Sequence, residues 1–179
     1  MTTAFWRRLD LEGHDRCVLE PDAAGYRLAG TALVVSGGDS YDIRYTVITD
    51  GSWRTRVVAA HLQGPSGDRR LSLKSDGEGH WSVGDESLPE LDGCLDVDLG
   101  FTPAANTLPI RRLGLEVGAA TDISAAYVDF PNNEIRREQQ RYERVEEGVY
   151  RYSVGDDPTE LTVDENGLVT DFPGMWVAI

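Results

Sequence analysis

The chain has 179 residues, 40% of them apolar and 27% charged, with 31 acidic against 17 basic side chains and a formal net charge of −14. Nucleic acid and anionic membranes both recruit net basic surfaces, so this charge excludes nucleic acid as a partner and excludes broad electrostatic docking on a bilayer. A single anionic headgroup held by clustered arginines stays open, and the length suits one domain, residues 1–179, with a sizeable core.

The N-terminal MTTAFWRRLDLEG has no apolar run of signal-peptide length, and no later stretch reaches transmembrane length. An integral membrane protein is therefore not expected. Cys17 and Cys94 lie far apart and form neither a disulfide framework nor a metal spacing. The default is a cytoplasmic protein with reduced thiols and no cofactor. Lys74 is the sole lysine against sixteen arginines. Genomic base composition accounts for that bias, and a lone lysine argues against Schiff-base chemistry.

From the N-terminus onward the pattern is strand, turn, strand. Turn signals recur about every ten residues: Gly37-Gly38, Asp50-Gly51-Ser52, Pro65 to Asp68, Asp76 to Gly79, Asn132-Asn133, Gly155 to Pro158 and Asp164 to Gly167. Short runs rich in Val, Tyr, Thr, Ile and Trp fill the intervals. This spacing predicts an all-β fold, a sandwich, barrel or roll.

The hairpin at Asp50 has a preferred register. A three-residue loop, Asp50-Gly51-Ser52, pairs Thr49 with Trp53 and gives glycine the positive φ angle. One face then collects Tyr41, Ile43, Tyr45, Val47, Trp53, Thr55, Val57 and Ala59 for the core. The other collects Asp42, Arg44, Thr46, Arg54 and Arg56. A two-residue loop would slip the register and put arginines on the apolar face. Arg44, Arg54 and Arg56 thus form a candidate anion-binding cluster, set against the bland reading of a solvated face with weak ion pairs.

The stretch DVDLGFTPAANTLPIRRL, Asp96 to Leu113, holds the densest polar chemistry. Alternation turns Leu95, Val97 and Leu99 one way and Asp96 and Asp98 the other. The two carboxylates would lie about 6–7 Å apart from the strand rise. That spacing serves a general acid and base, a hard metal, or a pair of arginine partners. Pro103 and Pro109 interrupt ladder pairing, so Thr102 to Pro109 reads as a wide polar turn presenting Thr102, Asn106 and Thr107. In the following strand Leu113, Leu115 and Val117 alternate with polar positions, which sends Arg111 and Arg112 to opposite faces. Asn133 to Glu147 has helix-forming residues, but Ile135, Tyr142 and Val145 are too sparse for a packed helical face. It reads as a long polar strand, with a helix as the alternative.

His14, His61 and His80 fall in separate elements, and no P-loop, G-x-S-x-G, HExxH or dinucleotide fingerprint occurs. Aromatic residues are spread over many strands, and those lining any cavity would suit sugars or acyl chains.

Three stretches carry a family resemblance. They are Gly93 to Leu113 with its Cys-x-Asp-x-Asp and NTLPIRRL strings, the Gln140-x-Tyr142 and Tyr150-x-Tyr152 pair, and LTVDENGLVTDFPGMW from Leu161 to Trp176. With the strand order they resemble the bacterial glycolipid-binding family over essentially the whole chain. The family motif reads Thr-Asn-Thr before Leu-Pro, where this chain has Ala105, so no hydroxyl role carries over to that position. The resemblance implies a single curved antiparallel sheet wrapped into a spiral β-roll or open barrel, holding a glycolipid or other amphipathic small molecule, and implies no catalytic residue.

The expected ligand-binding set is Asp96, Asp98, Asn106, Thr107, Arg111 and Arg112, with Arg44, Arg54 and Arg56 as a second site. The ligand's tail would lie within the curl of the sheet. Arg112→Ala is expected to weaken binding without loss of folding. The alternatives are a sugar or lipid hydrolase using Asp96 and Asp98, and a protein–protein module, with an exposed sheet edge as the route to a homodimer.

Overall fold

The computed structural model describes residues 1–132 and 134–179. It contains fifteen strands: β1 (Thr2–Arg8), β2 (Glu12–Pro21), β3 (Gly25–Ser36), β4 (Asp39–Asp50), β5 (Thr55–Gly64), β6 (Gly67–Ser75), β7 (Trp81–Val83), β8 (Glu86–Ser87), β9 (Asp96–Leu99), β10 (Ala120–Val128), β11 (Ile135–Glu146), β12 (Val149–Val154), β13 (Asp157–Val163), β14 (Val169–Phe172) and β15 (Trp176–Ala178). All belong to one sheet, ordered β8 back to β1, then β15 back to β9. Each half is a meander of hairpins. The two halves join where β1 pairs with β15, Trp6 opposite Ala178 and Arg8 opposite Trp176.

The sheet is all-β, curled and not closed, as the sequence led us to expect. Pairing is antiparallel except between β9 and β10, which run parallel. Parallel neighbours need a crossover, and here it is the 3₁₀ turn Pro103–Asn106 running into helix α1, Thr107–Leu113. The curl brings β9 back onto β5: Thr55 N–H donates to Leu95 O at 2.9 Å, and Val97 N–H to Thr55 Oγ1 at 3.1 Å. Trp81 Nε1 donates to Cys94 O at 2.8 Å.

The centre of the curl is filled by side chains. Trp6, Phe101, Leu108 and Trp81 are almost wholly buried and pack in one cluster with Ile43, Leu62, Val97 and Leu99. The expectation of a ligand tail inside the curl is corrected accordingly: the crossover segment occupies that space. Ala105 is part of the same packing.

Within this core lies a polar knot. Tyr45 and Thr102 both donate to Asp15 Oδ2, Tyr45 at 2.8 Å, and the other carboxylate oxygen is buried without a partner. Gly30 makes room for it, since a Cβ there would overlap the Tyr45 ring and the Arg16 carbonyl. Burial pushes the Asp15 carboxyl up to about 6.

Two sequence expectations change. The Asp50 loop spans residues 51–54, and Thr49 pairs with Thr55 rather than Trp53. Asp50 Oδ1 accepts from Ser52 N and Arg54 N, and the positive φ of 66° falls on Trp53, not on Gly51. Stacking of Trp53 on Tyr26, centroids 3.8 Å apart, offsets that strained backbone. Arg56 is the extra residue of a bulge, because Ile48 faces Val57 while Thr49 faces Thr55. The bulge reverses the inward phase of β5, so Val58, Ala60 and Leu62 enter the core and Ala59 faces out.

The second change is helix α1, where a wide turn and then a strand were expected. Pro103 and Pro109 fall in first turns, where the missing N–H has no intrahelical acceptor to lose. Thr102 Oγ1 caps the 3₁₀ turn by accepting from Ala104 N at 3.1 Å, and Gly114 at φ 53° ends α1. Val117 is exposed rather than in a strand. The region expected as a long polar strand is β11, with Asn133 itself outside the described residues. Among the described residues no helix is long and apolar enough to cross a membrane.

Candidate functional site

Strand β9 sets the site. Asp96 and Asp98 share a face, as alternation requires, but their surroundings divide them. Asp96 is 1% exposed and receives a forked bond from Arg112 on α1: Nε at 2.9 and 3.1 Å, Nη2 at 2.6 Å. Burial raises the Asp96 carboxyl above its ordinary range, and the guanidinium opposes that shift. The pair bolts the crossover helix to the sheet. Arg112 is held in this way, and its removal would strand a buried carboxylate.

Asp98 lines a cleft of about 220 Å³. One wall is the crossover, with Gly100, Pro103 and Asn106. The opposite wall is Tyr127 of β10, Glu138 of β11 and Tyr152 of β12, and Phe172, Met175 and Trp176 complete it. Gly100 lacks the Cβ that would overlap the Tyr127 hydroxyl, so the ring can lie across the crossover.

Gln140 Nε2 donates to Asp98 Oδ2 at 2.6 Å and to Glu138 Oε2 at 3.3 Å. The two carboxylate oxygens therefore lie no more than about 5.9 Å apart, the sum of those bonds. Arg136 Nη2 holds the other Glu138 oxygen at 2.9 Å and its guanidinium stands 4.2 Å over the Tyr127 ring. Burial pushes Asp98 up to about 6, with Gln140 opposing and the Glu138 charge adding to the shift. The Tyr127 and Tyr152 phenols are raised by burial and by the nearby carboxylates, and no hydrogen bond acts on either among the described residues.

The remaining expected residues scatter. Asn106 lines the cleft but is committed, accepting from the Tyr142 hydroxyl at 2.9 Å and donating to Pro103 O at 3.3 Å. Thr107 is fully buried with an unpartnered hydroxyl. Arg111 leaves α1 on another side from Arg112. It stands 5.2 Å over Trp53, donates to Glu165 O at 3.4 Å, and borders a separate groove of about 650 Å³ with Arg144 and Tyr150.

Arg44, Arg54 and Arg56 do not cluster. Arg44 faces His61 across the ladder and pairs with Asp42 at 3.5 Å. Arg54 bonds Glu78 at 2.6 Å, and Arg56 bonds Ser75 O at 3.1 Å. Five residues of β5 separate Arg56 from His61, about 16 Å at the strand rise. Pairing Thr49 with Thr55 moves the ladder by two residues and the bulge at Arg56 adds a third, and together they separate the arginines.

Sequence reading missed Glu138 and Tyr127, and met Gln140 only within a motif. A signal existed: on β11 the even positions Glu138, Gln140 and Tyr142 turn inward while Arg137, Gln139 and Arg141 are exposed. Asp15 carried no such signal, for it reads as an ordinary polar position on β2.

The curled sheet and its acidic, aromatic-walled cleft define an all-β roll with one polar recess beside the crossover. The family profile described as "Putative glycolipid-binding" matches residues 3–178, and the chain belongs to that family. The fold is also similar to the crystal structure of a DUF1089 family protein from Pseudomonas aeruginosa, with 35% identity, a TM-score of 0.85 and 92% of each chain covered. No curated protein matches the chain.

Proposed function

We propose that the chain binds a glycolipid or similar amphipathic ligand, without catalysis, with the polar head in the Asp98 cleft. The observation that carries this reading is the meeting, in one recess, of bridged carboxylates, two unpartnered phenol hydroxyls and an apolar wall of Phe172, Met175 and Trp176. Polar groups fix a head, and apolar surface holds the start of a tail. The tail runs along that wall toward Val154 rather than into the filled centre. From the sequence-derived set, Asp98 and Asn106 line the site and Asp96 and Arg112 support it. The same reading takes residues 1–179 as one domain working in the cytoplasm.

The hydrolase reading shifts from Asp96 and Asp98 to Asp98 and Glu138. Their separation overlaps the spacing of about 5–5.5 Å used by retaining glycosidases. Yet the Gln140 amide bridges them and stands where a scissile bond would have to enter, which favours binding over turnover.

Organic extraction of the purified, never-denatured protein, followed by mass spectrometry, tests the proposal. A stoichiometric amphiphile is the expected result. A protein that yields nothing and also takes up no fluorescent lipid contradicts it.

A further inference from the structure

We infer that the cleft selects the head of its ligand by charge and size: a single sugar ring, uncharged or bearing an amine, and not a phosphate or other anion. This rests on the binding function proposed above.

Three arginines stand around the recess. Arg112 is held by Asp96, Arg136 by Glu138, and Arg8, which stands 5.1 Å over the Trp176 ring, by Asp10 at 2.8 and 3.0 Å. Each guanidinium near the cleft already has a carboxylate of its own. What faces the space is Asp98, which has no arginine partner, and Glu138, whose one oxygen Arg136 holds. An anionic head would meet two carboxylates in a half-enclosed recess walled by protein, where like charges repel more than in bulk water. Arg136 sits on one Glu138 oxygen at 2.9 Å, and the other oxygen turns toward Gln140 and Asp98.

The recess is instead rich in acceptors. Carboxylate oxygens accept from sugar hydroxyls or an ammonium group, and charge-assisted bonds of this kind are the strong ones. The Tyr127 and Tyr152 hydroxyls can donate or accept, and neither has a hydrogen-bond partner among the described residues, which leaves both for a ligand. The half-buried Tyr152 ring suits the C–H side of a sugar ring. A volume of about 220 Å³ lies below the ~300 Å³ at which pockets for drug-sized ligands begin. One ring fits and an oligosaccharide does not.

The test uses two amphiphiles with the same tail, n-octyl β-glucoside and octyl phosphate. Both are titrated below their micelle concentrations into the full-length protein and followed by tryptophan fluorescence. The glucoside is expected to bind at least tenfold tighter than the phosphate. Glu138→Gln and Asp98→Asn, each checked for folding by circular dichroism, are expected to narrow that gap to under threefold. Octyl glucosamine, carrying an amine, is expected to match or exceed the glucoside.

Equal affinity for glucoside and phosphate, or a gap that survives both substitutions, overturns the selection while leaving amphiphile binding intact. Failure of every octyl probe to bind overturns the selection, and with an empty solvent extract it overturns the binding function as well. Glu138 lines the cleft with its side chain 13% exposed and, unlike Asp98, does not lie in the buried strand beside the crossover, so its substitution keeps the test decisive even if Asp98→Asn does not fold.

Discussion

Arg112→Ala is expected to destabilise the fold by about 3–5 kcal/mol, the cost of leaving a buried charge without its partner. Asp96 is 1% exposed and takes three short contacts from that one guanidinium. The pair also joins α1 to β9, so its loss frees the crossover that fills the curl. Urea unfolding at neutral pH measures the effect. Arg112→Lys should recover only part of it, since an ammonium cannot form the forked bond. The double variant Asp96→Leu/Arg112→Met should regain most, because a buried ion pair replaced by apolar groups of similar volume is often neutral or better. An Arg112→Ala protein as stable as the natural one would mean that the bond is dispensable.

Asp15→Asn should change how stability depends on pH. The folded Asp15 carboxyl is raised to about 6 from an ordinary 3.8. The folded state therefore binds this proton more tightly than the unfolded chain does. The stabilisation is fully present below pH ~4 and is lost as pH rises through ~6. Two pKa units correspond to about 3 kcal/mol. Asparagine does not titrate, so the stability of the variant relative to the natural protein should rise by about that amount between pH 4 and pH 7.5. The cost of the amide in this packing is common to both conditions and cancels in the comparison. Urea unfolding of both proteins at the two pH values gives the number. Curves for the two proteins that stay parallel across this range would place the Asp15 pKa at its ordinary value and remove the argument.

Both effects arise from groups that the sequence presents unevenly. Period-two alternation made most strands legible, including β11, whose helix-forming residues are overruled by its ladders with β10 and β12. The Asp96/Asp98 face was legible for the same reason. Their separate fates were not, because they depend on which partner arrives from α1 and β11. The helix was hidden by its own prolines, which break a strand but start a helix. The Asp50 register was hidden because Trp53 takes the left-handed conformation that glycine offers at lower cost, and because a bulge shifts phase by one residue. The longer loop and the bulge together shift the ladder by three residues and disperse the arginine cluster. Asp15 became an internal polar group only through Tyr45 and Thr102, thirty and eighty-seven residues away.

The Asp98 cleft is the proposed seat of the amphiphile. The chain has two methionines, and Met175 lines that cleft while Met1 is exposed at the terminus. A methyl NMR titration with n-octyl β-glucoside therefore reads the site directly. A saturable shift of the Met175 methyl, with the Met1 signal unmoved, is the predicted result. Saturable binding that leaves Met175 unmoved and instead perturbs the groove beside Arg111 and Arg144 would contradict it.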